Sequence, residues 1–268
     1  MSEGDYVLGT QDEEIDRLGL QHRVWRARML DGWARAGIGP GQRVLDVGAG
    51  PGFASVDLAE IVGPAGRVFA FERSRRFLSA LEARAAQLGL TNIEAREHDV
   101  AQAPLGTDMA DAAWCRWVLS FVADPQATVR HIAQALRPGR VAIFHEYADY
   151  GAWQMMPPNP DVDRFRTLVM QSWRDSGGEP DIALQLPAML AAAGMEVVET
   201  RPLIRIVRPR DFDWSWPAAF MTVNAARLHE LGYASKEEAA RFARALADCP
   251  DETLMITPLV AEIVARRV

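Results

Sequence analysis

The chain has 268 residues, 49% hydrophobic and 24% charged, enough to bury one core with insertions around it. Its formal net charge of −7 gives no overall attraction to a phosphate backbone, which argues against a nucleic-acid partner. Two cysteines, Cys115 and Cys249, without metal-ligand spacing argue against a disulfide framework or a metal site and point to a cytoplasmic setting, as do the acidic start at residues 1–5 and the absence of any apolar run near the roughly 20 residues that span a bilayer.

In the first forty residues Ile15, Leu18, Val24, Trp25, Met29, Leu30 and Trp33 recur at helical spacing, until the glycine-rich stretch 37–41 stops them. Strands and helices then alternate: a strand over 43–47, a helix after Pro51, a strand over 67–71, a helix over 74–88 and a strand over 92–97. A strand over 110–116, a helix over 124–136 and a strand over 141–146 follow. Such alternation predicts a parallel sheet covered by helices on both faces. Residues 147–180, rich in Met, Trp, Pro and Gly, read as an insertion holding one helix over 162–175. A helix over 182–193 and a strand over 196–200, continuing to 207, resume the pattern. Residues 211–248 read as helical, with a capping start at Ser235, and 254–265 as a final strand.

The informative stretch is Val44-Leu45-Asp46-Val47-Gly48-Ala49-Gly50-Pro51-Gly52-Phe53. A buried strand runs into a glycine turn and then a helix, so that backbone can approach a ligand that side chains would block. A dinucleotide fingerprint would place its third glycine one residue later than Gly52. The Asp-x-Gly-x-Gly-x-Gly pattern resembles motif I of class I S-adenosylmethionine-dependent methyltransferases. That resemblance implies an α/β, Rossmann-like fold with a seven-stranded, mostly parallel sheet, N-terminal helices and helical lid insertions. It makes residues 1–39 a cover over the cofactor and substrate and 40–268 the methyltransferase domain, with lids at about 147–180 and 211–250.

The resemblance also implies S-adenosyl-L-methionine as cofactor, held by Asp46, Gly48, Ala49, Gly50 and Gly52. Glu72, with Arg73 beside it at the end of the second strand, matches the acidic residue that accepts the ribose hydroxyls, a role suited to two carboxylate oxygens. Asp99 and Val100, after the third strand, match the adenine site, and Arg116 ends the fourth. Tyr6-Val7-Leu8-Gly9, with Glu14, Arg17-Leu18 and Gln21, resembles the leader of ubiquinone- and menaquinone-biosynthesis methyltransferases, which makes Tyr6 and Gln21 candidate contacts to the methionine end of the cofactor.

Methyl transfer from a sulfonium is a direct displacement, so the candidate catalytic groups are those at the strand ends. His145 or Glu146 could deprotonate a nucleophile, although strand alternation points them to opposite faces, and both could equally make structural hydrogen bonds. Trp117, Tyr147, Trp153, Trp173, Trp214 and Phe220 are candidates for an apolar or aromatic substrate pocket, or else for ordinary core. The four arginines in 201–210 could bind an anion or stand in solvent.

The sequence thus predicts an enzyme methylating oxygen, nitrogen or carbon of a small molecule, off the membrane and free to form a homo-oligomer. A cofactor-bound regulator or sulfonium-assisted cyclase is the alternative. A macromolecular methyltransferase fits less well, because Cys115-Arg116-Trp117-Val118 replaces the Asn/Asp-Pro-Pro-Tyr/Phe motif.

Overall fold

A 24-residue helix, α1 (Asp12–Arg35), opens the described part of the chain, residues 8–268 of this computed structural model. Asp12, Glu13 and Glu14 sit in its first turn, where the positive end of the helix dipole favours them. Its apolar stripe, Val24, Trp25, Met29 and Trp33, is buried, each side chain contributing roughly 1.5–3 kcal/mol of transfer free energy.

The alternating series follows as β1 (Arg43–Val47), α2 (Phe53–Val62), β2 (Arg67–Glu72), α3 (Arg75–Gln87), β3 (Ile93–Glu97), β4 (Ala110–Arg116), α4 (Pro125–Ala135) and β5 (Leu136–Asp149). After it come β6 (Gln154–Met156), α5 (Pro160–Asp175), α6 (Leu186–Ala192), β7 (Met195–Leu203), β8 (Ile206–Val207), α7 (Ser215–Glu230), α8 (Lys236–Phe242), β9 (Leu254–Ile256) and β10 (Leu259–Arg267).

Seven strands form one sheet in the order β3-β2-β1-β4-β5-β10-β7. The pairings from β3 to β5 are parallel, and β10 lies antiparallel between β5 and β7. Alternation divides the side chains between two layers. Val44, Val68, Ala112 and Ile143 pack with Met29 and Trp33 of α1 and Leu58 and Val62 of α2. Leu45, Phe69, Ala113 and Phe144 pack with Val129 and Ile132 of α4 and Leu186 and Leu190 of α6. This is the Rossmann-like α/β fold that the motif order implied. The order reverses at β1 and β4, and open α/β sheets take their ligands beyond the strand ends at such a switch.

A second sheet, β6-β9-β8, lies over the aromatic cluster formed with α5, α7 and α8. It accounts for two departures from the expected strands. The strand expected over 196–207 breaks after Leu203, because Ile206 and Val207 pair with β9. The final strand expected over 254–265 divides at Thr257 and Pro258; Pro258 has no N–H to donate, and Thr257 is engaged by Arg205, which donates its amide to Oγ1 and accepts from the Thr257 amide. The helix expected to reach 136 stops at Ala135, since Leu136 already pairs with Ala110. The span expected to be helical holds α7 and α8, and the capping box at Ser235 is present.

Candidate active site

β1 delivers the chain into a turn in which Gly48, Gly50 and Gly52 have φ of +68°, +55° and +82°. A Cβ on Gly48 would lie 2.3 Å from Val118 Cγ2, and one on Gly52 2.4 Å from Leu81 Cγ. At Gly50 it would meet nothing within 4 Å. The first and third glycines are therefore required by packing within the protein, and only the second leaves space toward the cavity.

The turn's amides are largely engaged within the protein. Gly48 and Ala49 donate to the Phe71 carbonyl at 2.9 and 3.0 Å, and Gly50 donates to Glu72 Oε2 at 2.9 Å. The Ser74 amide donates to Oε1 at 2.8 Å. Glu72 is thus fixed by backbone amides on both oxygens, and a carboxylate with about four acceptor positions keeps lone-pair capacity for a diol. Burial raises its pKa, opposed by those amides. Asp99 is held similarly, accepting from the Ala101 amide at 3.0 Å and Gln102 Nε2 at 2.8 Å.

Asp46 is buried beneath the turn and accepts from the Ser55 hydroxyl at 2.5 Å. Burial pushes its carboxyl up to about 6, against the pull of Ser55 and Arg116. Arg116 lies near the Met29 thioether, 3.7 Å from Nη1, and over the rings of Trp114 and Trp117 at 5.7 and 5.2 Å. Among the described residues no carboxylate forms an ion pair with it, and burial lowers its pKa to about 10, against the attraction of Asp46.

One cavity of about 820 Å³ gathers these groups. Asp46, Gly48, Ala49, Gly50, Glu72 and Arg73 line it, as do Asp99, Val100, Arg116 and Gln21. Gly52 does not, being turned onto Leu81. Tyr6 lies outside the described residues. Of the aromatic candidates, Trp117, Tyr147, Trp173 and Phe220 line the cavity. Trp153 and Trp214 are core instead, their indole N–H groups directed to Met255 Sδ at 3.0 Å and the Leu246 carbonyl at 3.3 Å.

His145 and Glu146 are absent from the cavity wall. The expectation that either meets the substrate is corrected by their hydrogen bonds. His145, fully buried, pairs through Nε2 with Glu262 Oε2 at 2.8 Å. Glu146, also fully buried, accepts the amides of Val118 and Leu119 on Oε1 at 2.8 and 2.9 Å and the Ser120 hydroxyl on Oε2 at 3.1 Å. Their opposite directions follow from strand alternation, but both directions lead into protein. The arginines of 201–210 also lie off this cavity, Arg201 pairing with Asp31 and Arg205 with Asp213.

Sequence reasoning missed Arg17 and Phe121, which line the cavity as well. Arg17 holds Glu14 through Nε and Nη2, both at 2.7 Å, and donates from Nη1 to Gln21 Oε1 at 2.8 Å, while Trp216 Nε1 reaches the same oxygen at 3.1 Å. The i, i+3, i+7 spacing of Glu14, Arg17 and Gln21 on one helix face was the available signal. Phe121 had none, since it lies on a 3₁₀ turn that no periodicity announces.

A methyltransferase-domain family model matches residues 38–172, about half of the chain, and the protein belongs to that family. It is a class I, Rossmann-like methyltransferase, and its cofactor is S-adenosylmethionine. The chain is 33% identical over 172 residues to the 2-phytyl-1,4-naphtoquinone methyltransferase of Synechococcus elongatus, an alignment covering 63% of this chain and 69% of that protein. Its fold resembles that of the cyclase SpnF, with a TM-score of 0.56, 21% identity, and 90% and 80% of the two chains covered. It also resembles a S-adenosylmethionine-dependent methyltransferase of Geobacter sulfurreducens, with a TM-score of 0.51, 21% identity, and 86% of each chain covered.

Proposed function

We propose that the protein methylates a small, apolar or aromatic metabolite bound in the aromatic half of the cavity. The observation carrying this reading is the continuity of one cavity from the glycine turn, Glu72 and Asp99 to Trp117, Tyr147, Trp173 and Phe220. Its volume of about 820 Å³ falls in the upper part of the roughly 300–1,000 Å³ range of small-molecule sites, consistent with a second molecule beside a nucleoside. The naphthoquinone named in the Synechococcus relative is of the same chemical kind.

The residues present fit the cofactor. The space beside Gly50 is open, Glu72 retains acceptor capacity for ribose hydroxyls, and Asp99 with Val100 forms the adenine end. Arg116, a partly buried cation without a carboxylate partner among the described residues, suits the methionine carboxylate, and Asp46 the ammonium. When bound, S-adenosylmethionine supplies an electrophilic methyl group on a positively charged sulfur.

The chain contributes position and dryness. α1 and α7 carry Arg17, Gln21 and Phe220 over the cavity, which limits water, and the aromatic wall can hold an acceptor near the roughly 3–3.5 Å separation that displacement needs. With His145 and Glu146 committed elsewhere, neither serves as general base. Incubation with methyl-labelled S-adenosylmethionine and a panel that includes 1,4-naphthohydroquinone, naphthols and aromatic amines tests the reading. Label should appear in at least one aromatic acceptor. Cofactor binding without transfer across the panel would overturn it in favour of a sulfonium-binding regulator or cyclase.

A further inference from the structure

After β4 the chain takes a conformation that its residue types do not favour. Trp117 has φ of +51°, a left-handed backbone that bulky side chains rarely adopt, where glycine would be the undemanding choice. Its own amide still donates to the His145 carbonyl at 2.9 Å, so sheet pairing persists up to this residue and then ends. The next two amides, of Val118 and Leu119, turn inward and both donate to one oxygen of Glu146, while Ser120 donates its hydroxyl to the other. Glu146 is itself fixed by β5, whose backbone pairs with β10 at Ala261.

The ring carried by this turn is the middle of a stack. Trp117 lies 5.5 Å from Tyr147 at 20° and 5.7 Å from Trp216 at 16°, with Trp25 edge-on at 5.1 Å. Trp117 and Tyr147 both face the cavity, and Val118, one residue on, packs against Gly48 of the cofactor turn. The position of this short turn therefore sets both the aromatic wall and one side of the glycine turn.

We propose that Glu146 is a positioning residue, whose carboxylate holds the turn over residues 117–120 with Trp117 in its left-handed conformation and so fixes Trp117 as the wall that determines acceptor fit. The inference rests on the acceptor lying in the aromatic half of the cavity. It gives the buried carboxylate a role that is neither proton transfer nor mere filling of the core. It also makes a specific statement about chemistry: the site needs two acceptor positions on one oxygen and one polar atom opposite Ser120, and it does not need negative charge. A glutamine meets those needs. Its carbonyl oxygen can accept both amides, and its NH₂ can donate to the Ser120 hydroxyl, which accepts as readily as it donates.

The test compares Glu146→Gln, Glu146→Ala, Ser120→Ala and Trp117→Phe. The circular dichroism couplet of the stacked indoles is assigned from the Trp117→Phe difference spectrum, S-adenosylhomocysteine affinity is measured by calorimetry, and methyl transfer is measured with 1,4-naphthohydroquinone. Glu146→Gln should keep the couplet and lie within about threefold of the parent in affinity and transfer, whereas Glu146→Ala should lose the couplet and at least about tenfold in transfer, with a smaller loss of cofactor affinity. Ser120→Ala, which removes the hydroxyl donor and keeps the backbone amides, should weaken the couplet while the protein stays folded, and so serves if Glu146→Ala does not fold. An unchanged couplet in Glu146→Ala, or in Ser120→Ala where Glu146→Ala does not fold, would overturn the proposal. So would loss of transfer in Glu146→Gln with the couplet intact, since charge or proton transfer would then be the function of Glu146. The spectra need no acceptor, so a parent protein that fails to methylate the probe would count against the acceptor reading alone.

Discussion

Two carboxylates at the strand ends, partly buried Glu72 and fully buried Glu146, serve different purposes. Glu72 spends one lone pair of each oxygen on the Gly50 and Ser74 amides, which fixes its orientation before any ligand arrives. Glu72→Ala should weaken S-adenosylhomocysteine binding by about 1–3 kcal/mol, the scale of lost hydrogen bonds to a charged acceptor, as read by calorimetric titration. An affinity equal to that of the parent would remove Glu72 from the cofactor site. Glu146 is instead saturated by protein donors, and burial still outweighs them and pushes its carboxyl from 4.5 up to about 7. A raised folded-state pKa means that the folded protein holds a proton which the unfolded chain releases. The associated stability is present below the unfolded value and is lost as pH rises toward about 7. Glutamine carries no such dependence, so the melting temperature of Glu146→Gln minus that of the parent should increase between pH 5 and about 7 and level off above it. A difference that stays flat over this interval would show that Glu146 does not titrate there.

At the scale of elements, α1 is fastened over the sheet at separate points. His22 Nε2 meets Asp57 Oδ2 of α2 at 3.1 Å, and Arg26 Nε reaches the same oxygen at 2.9 Å. Burial lowers the pKa of His22 despite this partner, whereas its two partners hold the pKa of Asp57 low against burial. Asp57→Ala would leave both donors without their acceptor, at a cost of about 1–3 kcal/mol. Because the loss is local to the α1–α2 contact, amide exchange should accelerate in α1 more than in α4, which packs on the opposite face. Equal acceleration in both helices would show that α1 is not separately latched. The helix itself was legible from its apolar period, and the strands of the central sheet from their alternation with helices. The latch was not, since a histidine and an aspartate 35 residues apart carry no pattern that declares a contact. The glycine turn was legible as a motif, yet which glycine faces the ligand depended on Val118 and Leu81, residues distant in sequence. Of the aromatic candidates, Trp173 and Trp153 looked alike in composition and differ only in where α5 and the small sheet place them.

Across the whole molecule, β5 divides two adjacent polar residues, His145 and Glu146, between two tasks. Glu146 faces the turn that carries Trp117, and His145 faces the antiparallel strand, where it stands directly opposite Glu262 in the register. Glu262 also accepts from Arg35 at the end of α1, and Arg35 reaches Glu199 on β7 and Asp31 on its own helix. This one network therefore joins the first helix, the last strand and the sheet edge to the strand that organises the site. Among the described residues the buried Nδ1 of His145 has no partner, so Glu262 supplies the hydrogen bond to its ring. Removing one member of a buried ionic group generally costs about 3–5 kcal/mol, because the remaining polar atoms stay desolvated. Glu262→Ala should accordingly lower the melting temperature by roughly 10 °C, at about 2–4 °C per kcal/mol for a chain near this size. Glu262→Gln retains an acceptor for His145 Nε2 and should fall between that variant and the parent. Scanning calorimetry of the three proteins at one pH distinguishes this from a merely superficial contact, for which Glu262→Ala would melt within about 1–2 °C of the parent, the scale of exposed ion pairs. The size of the loss thus measures how far the stability of the site-bearing strand depends on α1 being in place.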